Sequence, residues 1–235
     1  MTSPRRCGAL IASVLIAVAP GGMTRMRAAD ASMKTDETEI RAVKQAAQEA
    51  TKIFFPRAEA QKQTYGFEAG DVLSSAVLQA PVRLCYIEEK DVAAYRTGQP
   101  VAPLLKPSDY WLVPVAIGGT NRAMIEVTAA GEGKWTGSAL GMAPLARKWQ
   151  NLQGWWPEAQ KFTPRLIICP PVPGYFFSIP QATAPNLTPL ADVPATVVDP
   201  KLTPKPAMKP AEKSFAGIRE IFQQVNAQSE TSTNK

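Results

Sequence analysis

The groups in this chain that could do chemistry are carboxylates and thiols, because the sequence contains no histidine. That removes Ser-His and Cys-His nucleophiles, the helical zinc-protease motif and imidazole general bases. Glu88, Glu89 and Asp91 cluster at the end of an expected strand, and Asp109 precedes an apolar run. Carboxylates such as these serve polymer hydrolases when two of them face each other at a fixed separation. Nothing in the spacing fixes such a pair, and solvated charges and helix caps account for the same residues. Cys85 and Cys169 have no base partner to activate them, and two thiolates fall short of the roughly four ligands zinc takes. Gly131-x-Gly133 followed by Gly137 has the wrong spacing for a dinucleotide loop and reads as a hairpin turn. No catalytic, cofactor-binding or metal-ligating residue is assigned, and no cofactor is expected.

The compartment follows from the first 31 residues, which read as an export signal. Arg5 and Arg6 give the positive start, residues 7–20 form a nearly uncharged apolar run, and Ala29-Asp30-Ala31 offers a small-x-small cleavage site before Ser32. The run of about 14 residues is shorter than the ~20 a spanning helix needs. A periplasmic or secreted protein with no stable membrane span after cleavage is therefore expected. In that compartment Cys85 and Cys169 could form a disulfide, and the alternative is two buried thiols on separate strands. The chain has 26 basic and 20 acidic residues, a net charge of +6, but only 22 and 19 of these lie beyond residue 31. No dense Lys/Arg patch remains, so no nucleic-acid partner is expected.

Around 150 residues must position whatever site exists, enough for one domain with a real core. Asp36 and Glu39 resemble a capping box, and Ile40, Val43, Ala47, Ala50 and Phe54 then form one apolar stripe of a helix that Pro56 ends or kinks. A short helix is expected within 66–79, a strand over 82–88, a short helix over 91–95, and a strand over 110–117 buried on both faces. Pro114 inside that strand suggests an edge or a bulge. Gly118-Gly119 makes a turn, and 123–128 alternate before the hairpin turn at 131–133 returns the chain through 134–140. Met142, Leu145, Ala146, Trp149 and Leu152 give helical spacing, and strands follow at 163–169 and 175–179. The fold class expected is α+β, an antiparallel sheet of about five to six strands with helices packed on one face. The domain is placed at 32–182, a Pro-rich linker at 183–212, an amphipathic tail helix at 213–228 and a disordered end at 229–235. Seven prolines in 181–212 favour an extended chain.

Aromatic residues concentrate late in the domain: Trp149, Trp155, Trp156, Tyr175, Phe176 and Phe177. Trp149 fits the helix stripe. Trp155 and Trp156 lie between Gly154 and Pro157, where both do not fit a core comfortably, so one of them is expected to be exposed. The candidate partner contacts are therefore Trp155 and Trp156, together with Phe215, Ile218, Phe222 and Val225 of the tail stripe.

Leu78 and Pro81, the run Trp111-Leu112-Val113-Pro114-Val115, Gly133-Lys134-Trp135 and Ala139-Leu140-Gly141 carry a resemblance to an uncharacterised class of exported bacterial domains. It covers roughly half the chain, from about residue 65 to 179, and implies no activity or ligand. The layout also looks like small propeptide or inhibitor-like α+β modules, a likeness of architecture that does not fix function. The leading expectation is an exported, non-catalytic interaction module whose partner is an unknown envelope or extracellular protein. The alternatives are a protease propeptide or inhibitor-like module and a histidine-free carboxylate hydrolase of envelope polymers.

Overall fold

Helix α1, Glu37–Ala60, begins with Glu37 and Glu39 in its first turn, where acidic groups suit the positive end of the helix dipole. Val43, Ala47 and Ala50 of its stripe are buried, and Ile40 and Phe54 line the margin of the same core. Pro56 does not end the helix, which runs one more turn to Ala60. Proline there removes only the bond to the Lys52 carbonyl, and Ala58 beyond it is again buried. The computed structural model describes residues 37–95, 100–131, 133–169, 172–181, 187–199, 201–202 and 204–207. The segment 1–31 expected as an export signal, Asp36, the expected tail stripe Phe215, Ile218, Phe222 and Val225, and the end at 229–235 lie outside the described residues.

After the one-turn helix α2, Lys62–Tyr65, the expected helix within 66–79 is replaced by a 3-10 turn, Leu73–Ser75, and a short strand β1, Val77–Leu78. The buried Asp71 accounts for this. Its carboxylate accepts the Glu68 N–H at 2.7 Å and lies 3.1 Å from the Arg122 guanidinium, while Lys62 Nζ donates to the Asp71 carbonyl at 2.7 Å. Backbone groups that a helix would have used are taken by side chains.

Strand β2, Val82–Tyr86, leads to helix α3, Glu89–Ala94, and then to the long strand β3, Lys106–Ile117. Gly118 and Gly119 adopt φ +57° and +79° and turn β3 into β4, Thr120–Ala129. A two-residue turn with positive φ at both positions matches the twist of the strands it joins. The next hairpin brings back β5, Trp135–Gly141. Helix α4, Ala143–Trp155, and strands β6, Arg165–Cys169, β7, Val172–Ser178, and β8, Thr188–Pro189, complete the order. The eight strands form one sheet, β5-β4-β3-β2-β6-β7-β8, with β1 also on β3, and every pairing is antiparallel except β2 with β6. The fold is thus a mixed one with a mostly antiparallel sheet. It holds more strands than the five or six expected, because β1 and β8 are two-residue strands with no alternation to read.

Pro114 lies inside the sheet. Its carbonyl accepts the Gln79 N–H at 2.9 Å, so its missing N–H points the same way, toward the break between β1 and β2. The ladder to β4 loses nothing there.

Side chains alternate across β3 and β4. Trp111, Val113, Val115, Ala123, Ile125 and Val127 pack with α1, whereas Leu112 and Met124 pack with Leu145, Trp149 and Leu152 of α4. The two long helices therefore cover opposite faces of the sheet, not one face as expected, since successive strand residues point to opposite sides and both sets are apolar. On the β2-β6-β7 half of the α1 face, α3 and the loop to Leu105 cover Cys85, Ile167 and Phe176.

The stretch expected as a free Pro-rich linker is docked over 187–198. Leu190 and Val193 enter the α4 core at 3% and 1% exposure. Asn151 on α4 donates from Nδ2 to the carbonyls of Pro194 at 2.9 Å and Thr196 at 2.8 Å, and its Oδ1 accepts the Val198 N–H at 3.2 Å. Lys148 Nζ donates to the Leu190 carbonyl at 3.0 Å. Each buried apolar side chain contributes roughly 1.5–3 kcal/mol and each hydrogen bond about 1 kcal/mol. Apolar burial therefore holds the strap, and Asn151 fixes its register. Proline favours this arrangement because an extended strap needs few donors of its own.

Asn151→Ala should lower stability by roughly 2–4 kcal/mol, since it removes three hydrogen bonds and leaves buried partners unmet. Urea unfolding followed by tryptophan fluorescence measures this, and a loss below about 0.5 kcal/mol would mean that the Asn151 bonds do not hold the strap.

Candidate functional site

The expected contact residues Trp155 and Trp156 do not reach the surface. They are 1% and 6% exposed. Their rings meet edge to face at 6.2 Å, and Trp156 also lies 5.8 Å from Phe177. Both fit the core because α4 ends between them. Trp156 leaves helical geometry, at φ −129° and ψ 74°, so its ring turns back into the same cluster, where the Lys205 ammonium caps it at 5.4 Å. As the domain stands, these two side chains stabilise it and offer no contact surface.

The thiols are separated by register. Cys85 on β2 sits opposite Ile167 on the parallel strand β6, and Cys169 is two residues further along. A strand spacing of ~4.8 Å and two residue steps of ~3.3 Å place the Cα atoms about 8 Å apart, beyond the ~7 Å limit for a disulfide. Of the two alternatives, the disulfide is not formed, and Cys85 and Cys169 are free, buried thiols on separate strands. Burial pushes the Cys169 thiol up to about 11. Burial also raises Cys85, against the lowering pull of Arg165 and Arg83.

Two of the four carboxylates considered for catalysis, Glu88 and Asp91, are held by lysines. Glu88 lies 2.6 Å from Lys106 and 2.7 Å from Lys90, and Asp91 lies 4.0 Å from Lys106. Hydrogen bonds from Lys106 first and Lys90 second hold the Glu88 carboxyl below the usual range. A general acid needs the opposite shift. Glu89 and Asp109 are exposed. Among the described residues no group of three or more His, Cys, Asp or Glu side chains is placed to hold a metal ion. No described helix is long and apolar enough to cross a membrane.

Among the described residues, nothing pairs with the outer side of β5, the last strand of the sheet. Ala130 N–H bonds to the Lys134 carbonyl at 2.8 Å, which sets the phase of the hairpin. Thr128 opposite Thr136 and Glu126 opposite Ala139 continue that phase past an irregularity at Ser138. The N–H and C=O groups of Trp135, Gly137 and Leu140 therefore point away from β4. Nothing in the strand blunts this edge by charge or proline, since its sequence is Trp-Thr-Gly-Ser-Ala-Leu-Gly. The opposite edge, β8, has two residues and ends in Pro189.

Helix α1 stands beside this edge. It comes so close to β5 that a Cβ on Gly137 would fall 2.3 Å from Ala50 Cβ, so only glycine fits there. Beyond that contact, Ala42, Gln45, Glu49 and Ile53 of α1 and Lys134 and Thr136 of the hairpin line a groove of about 360 Å³. Ile53 is 57% exposed on its wall. A strand added to β5 would lie in this groove, its alternate side chains against the helix. The uncharged run between Lys134 and Arg147 was readable in sequence, but that it forms an edge strand depends on pairings no local pattern encodes.

The raised thiol gives a pH prediction. The folded chain keeps the Cys169 proton that the unfolded chain releases near 9, so this contribution is complete below about 9 and is lost as pH rises through about 11. Cys169→Ala should flatten the stability profile across that window in denaturant titrations. An unchanged slope in the variant would contradict the assignment.

Comparison with protein-family models, curated proteins and solved structures finds no match to this chain.

Proposed function

We propose that this chain is an exported, non-catalytic binding module of the bacterial envelope that takes an extended segment of another envelope protein as an added strand along β5. The observation that carries the reading is the open, uncharged outer edge of β5 beside the α1 groove. In strand addition, main-chain hydrogen bonds supply affinity and pockets for alternate side chains supply selectivity. The groove wall supplies such contacts through Ala42 and the exposed Ile53. Gln45, Glu49 and Lys134 also line the groove, so the fit favours a segment that presents small, apolar and polar side chains in turn toward α1. Export rests on the signal-like residues 1–31. The hydrolase alternative draws little support from carboxylates that are paired with lysines or exposed.

Photocrosslinkers placed singly at Thr136 and Ile53 of the full chain should capture the same envelope protein, and one at Gln153 on the far end of α4 should not. Leu140→Pro removes an outward N–H without touching the β4 ladder and should weaken capture about tenfold, the worth of one hydrogen bond. Leu140→Ala, which keeps that N–H, should retain most of it. Equal capture at all three positions, or full capture by the proline variant, would rule out the edge.

A further inference from the structure

Arg83, Arg165 and Ser178 stand in one row across three strands on the α1 face of the sheet. Leu84 lies opposite Leu166, so the preceding residues, Arg83 and Arg165, are neighbours across β2 and β6. Arg165 in turn pairs with Ser178 on β7. Leu84, Leu166 and Phe177 point into the α4 core, which sends Arg83, Arg165 and Ser178 to the other face. The row lies between the part of that face covered by α1 and the part covered by α3.

The three side chains differ in what they are given. Arg83 is largely committed: Nε donates to the Ser108 carbonyl at 2.9 Å, Nη1 to Glu39 at 3.2 Å, and its guanidinium lies 5.4 Å above the Trp111 ring. Arg165 has no ion pair among the described residues, and its buried Nε has no hydrogen-bond partner there. Ser178 is 0% exposed, and its Oγ also has no partner among the described residues. Buried donors are almost always satisfied, so two neighbouring donors unmet by the described residues point to an acceptor outside them. Arg165 as a whole is only partly buried, so its outer nitrogens remain reachable.

We propose that Arg165 and Ser178, flanked by Arg83, bind one carboxylate group. The planar fork of Arg165 matches the two carboxylate oxygens, and Ser178 Oγ donates a third bond. Two guanidiniums and the Glu39 carboxylate leave one positive charge, which a single carboxylate balances and a doubly charged phosphate overshoots. The carboxylate is carried either by a small organic acid or by the end of a polypeptide. The site is separate from the β5 edge and does not depend on strand addition there.

The test uses the full chain, with thermal stability followed in acetate, phosphate and chloride at equal ionic strength. A short peptide with a free C-terminal carboxylate and its C-terminal amide form two further arms. Acetate should raise Tm beyond chloride. Arg165→Gln should weaken the apparent affinity at least tenfold. Ser178→Ala should weaken it severalfold while leaving the acid-free protein as stable as wild type or more so, because it removes an unmet buried hydroxyl. A response to acetate and to the peptide but not the amide identifies a polypeptide end, and a response to acetate alone identifies a small acid. Equal shifts in acetate and chloride, a stronger shift in phosphate, or wild-type responses in both variants would overturn the proposal.

Discussion

Strand β3 is apolar on both sides from Trp111 to Ile117, and this forces the rest of the architecture. Every residue of that run is buried. A strand that presents Trp111, Val113 and Val115 to one side and Leu112 to the other must be covered twice, or one set of side chains stays in water. Helix α1 answers one face and α4 the other. Helix α4 is 13 residues long and does not cover its face alone, so Leu190 and Val193 of the strap complete the layer. The strap is thus a consequence of β3, and Asn151 is the polar group that makes its position unique.

The same constraint explains where function is to be sought. Covering both faces consumes Trp111, Trp149, Trp155 and Trp156 and both thiols, and Lys90 and Lys106 pair with Glu88 and Asp91. The sheet still has two ends. One is closed by a two-residue strand ending in proline, and the other is β5, seven residues with neither charge nor proline. Open edges of that kind are normally blunted, and among the described residues the relief is the irregularity at Ser138. An edge left unblunted beside a helix wall is consistent with use. The arginine row shows the same logic in polar form, since buried donors unmet by the described residues lie between the two apolar clusters of that face.

Much of this was legible in the sequence. The α1 stripe, the alternation in 123–128, the paired turns at Gly118-Gly119 and Gly131-x-Gly133, and the spacing of Leu145, Trp149 and Leu152 each announce an element through local periodicity. What was not legible depends on partners distant in sequence. The docking of 187–198 requires Asn151, over forty residues away. The burial of both Trp155 and Trp156 requires the helix to end between them and the strap to close over them. Helices on opposite faces follow only once the phase of β3 against its neighbours is known. The β5 edge and the row of Arg83, Arg165 and Ser178 are products of strand order, which periodicity does not carry.

The central claim is that β5 has an outer edge free to pair, and residue-resolved amide hydrogen exchange of the isolated full chain tests it most directly. The amides of Trp135, Gly137 and Leu140 should exchange quickly, while those of Thr136 and Ala139, directed at β4, stay protected. Uniform protection across β5 would mean that the edge is already covered, and strand addition there would be untenable.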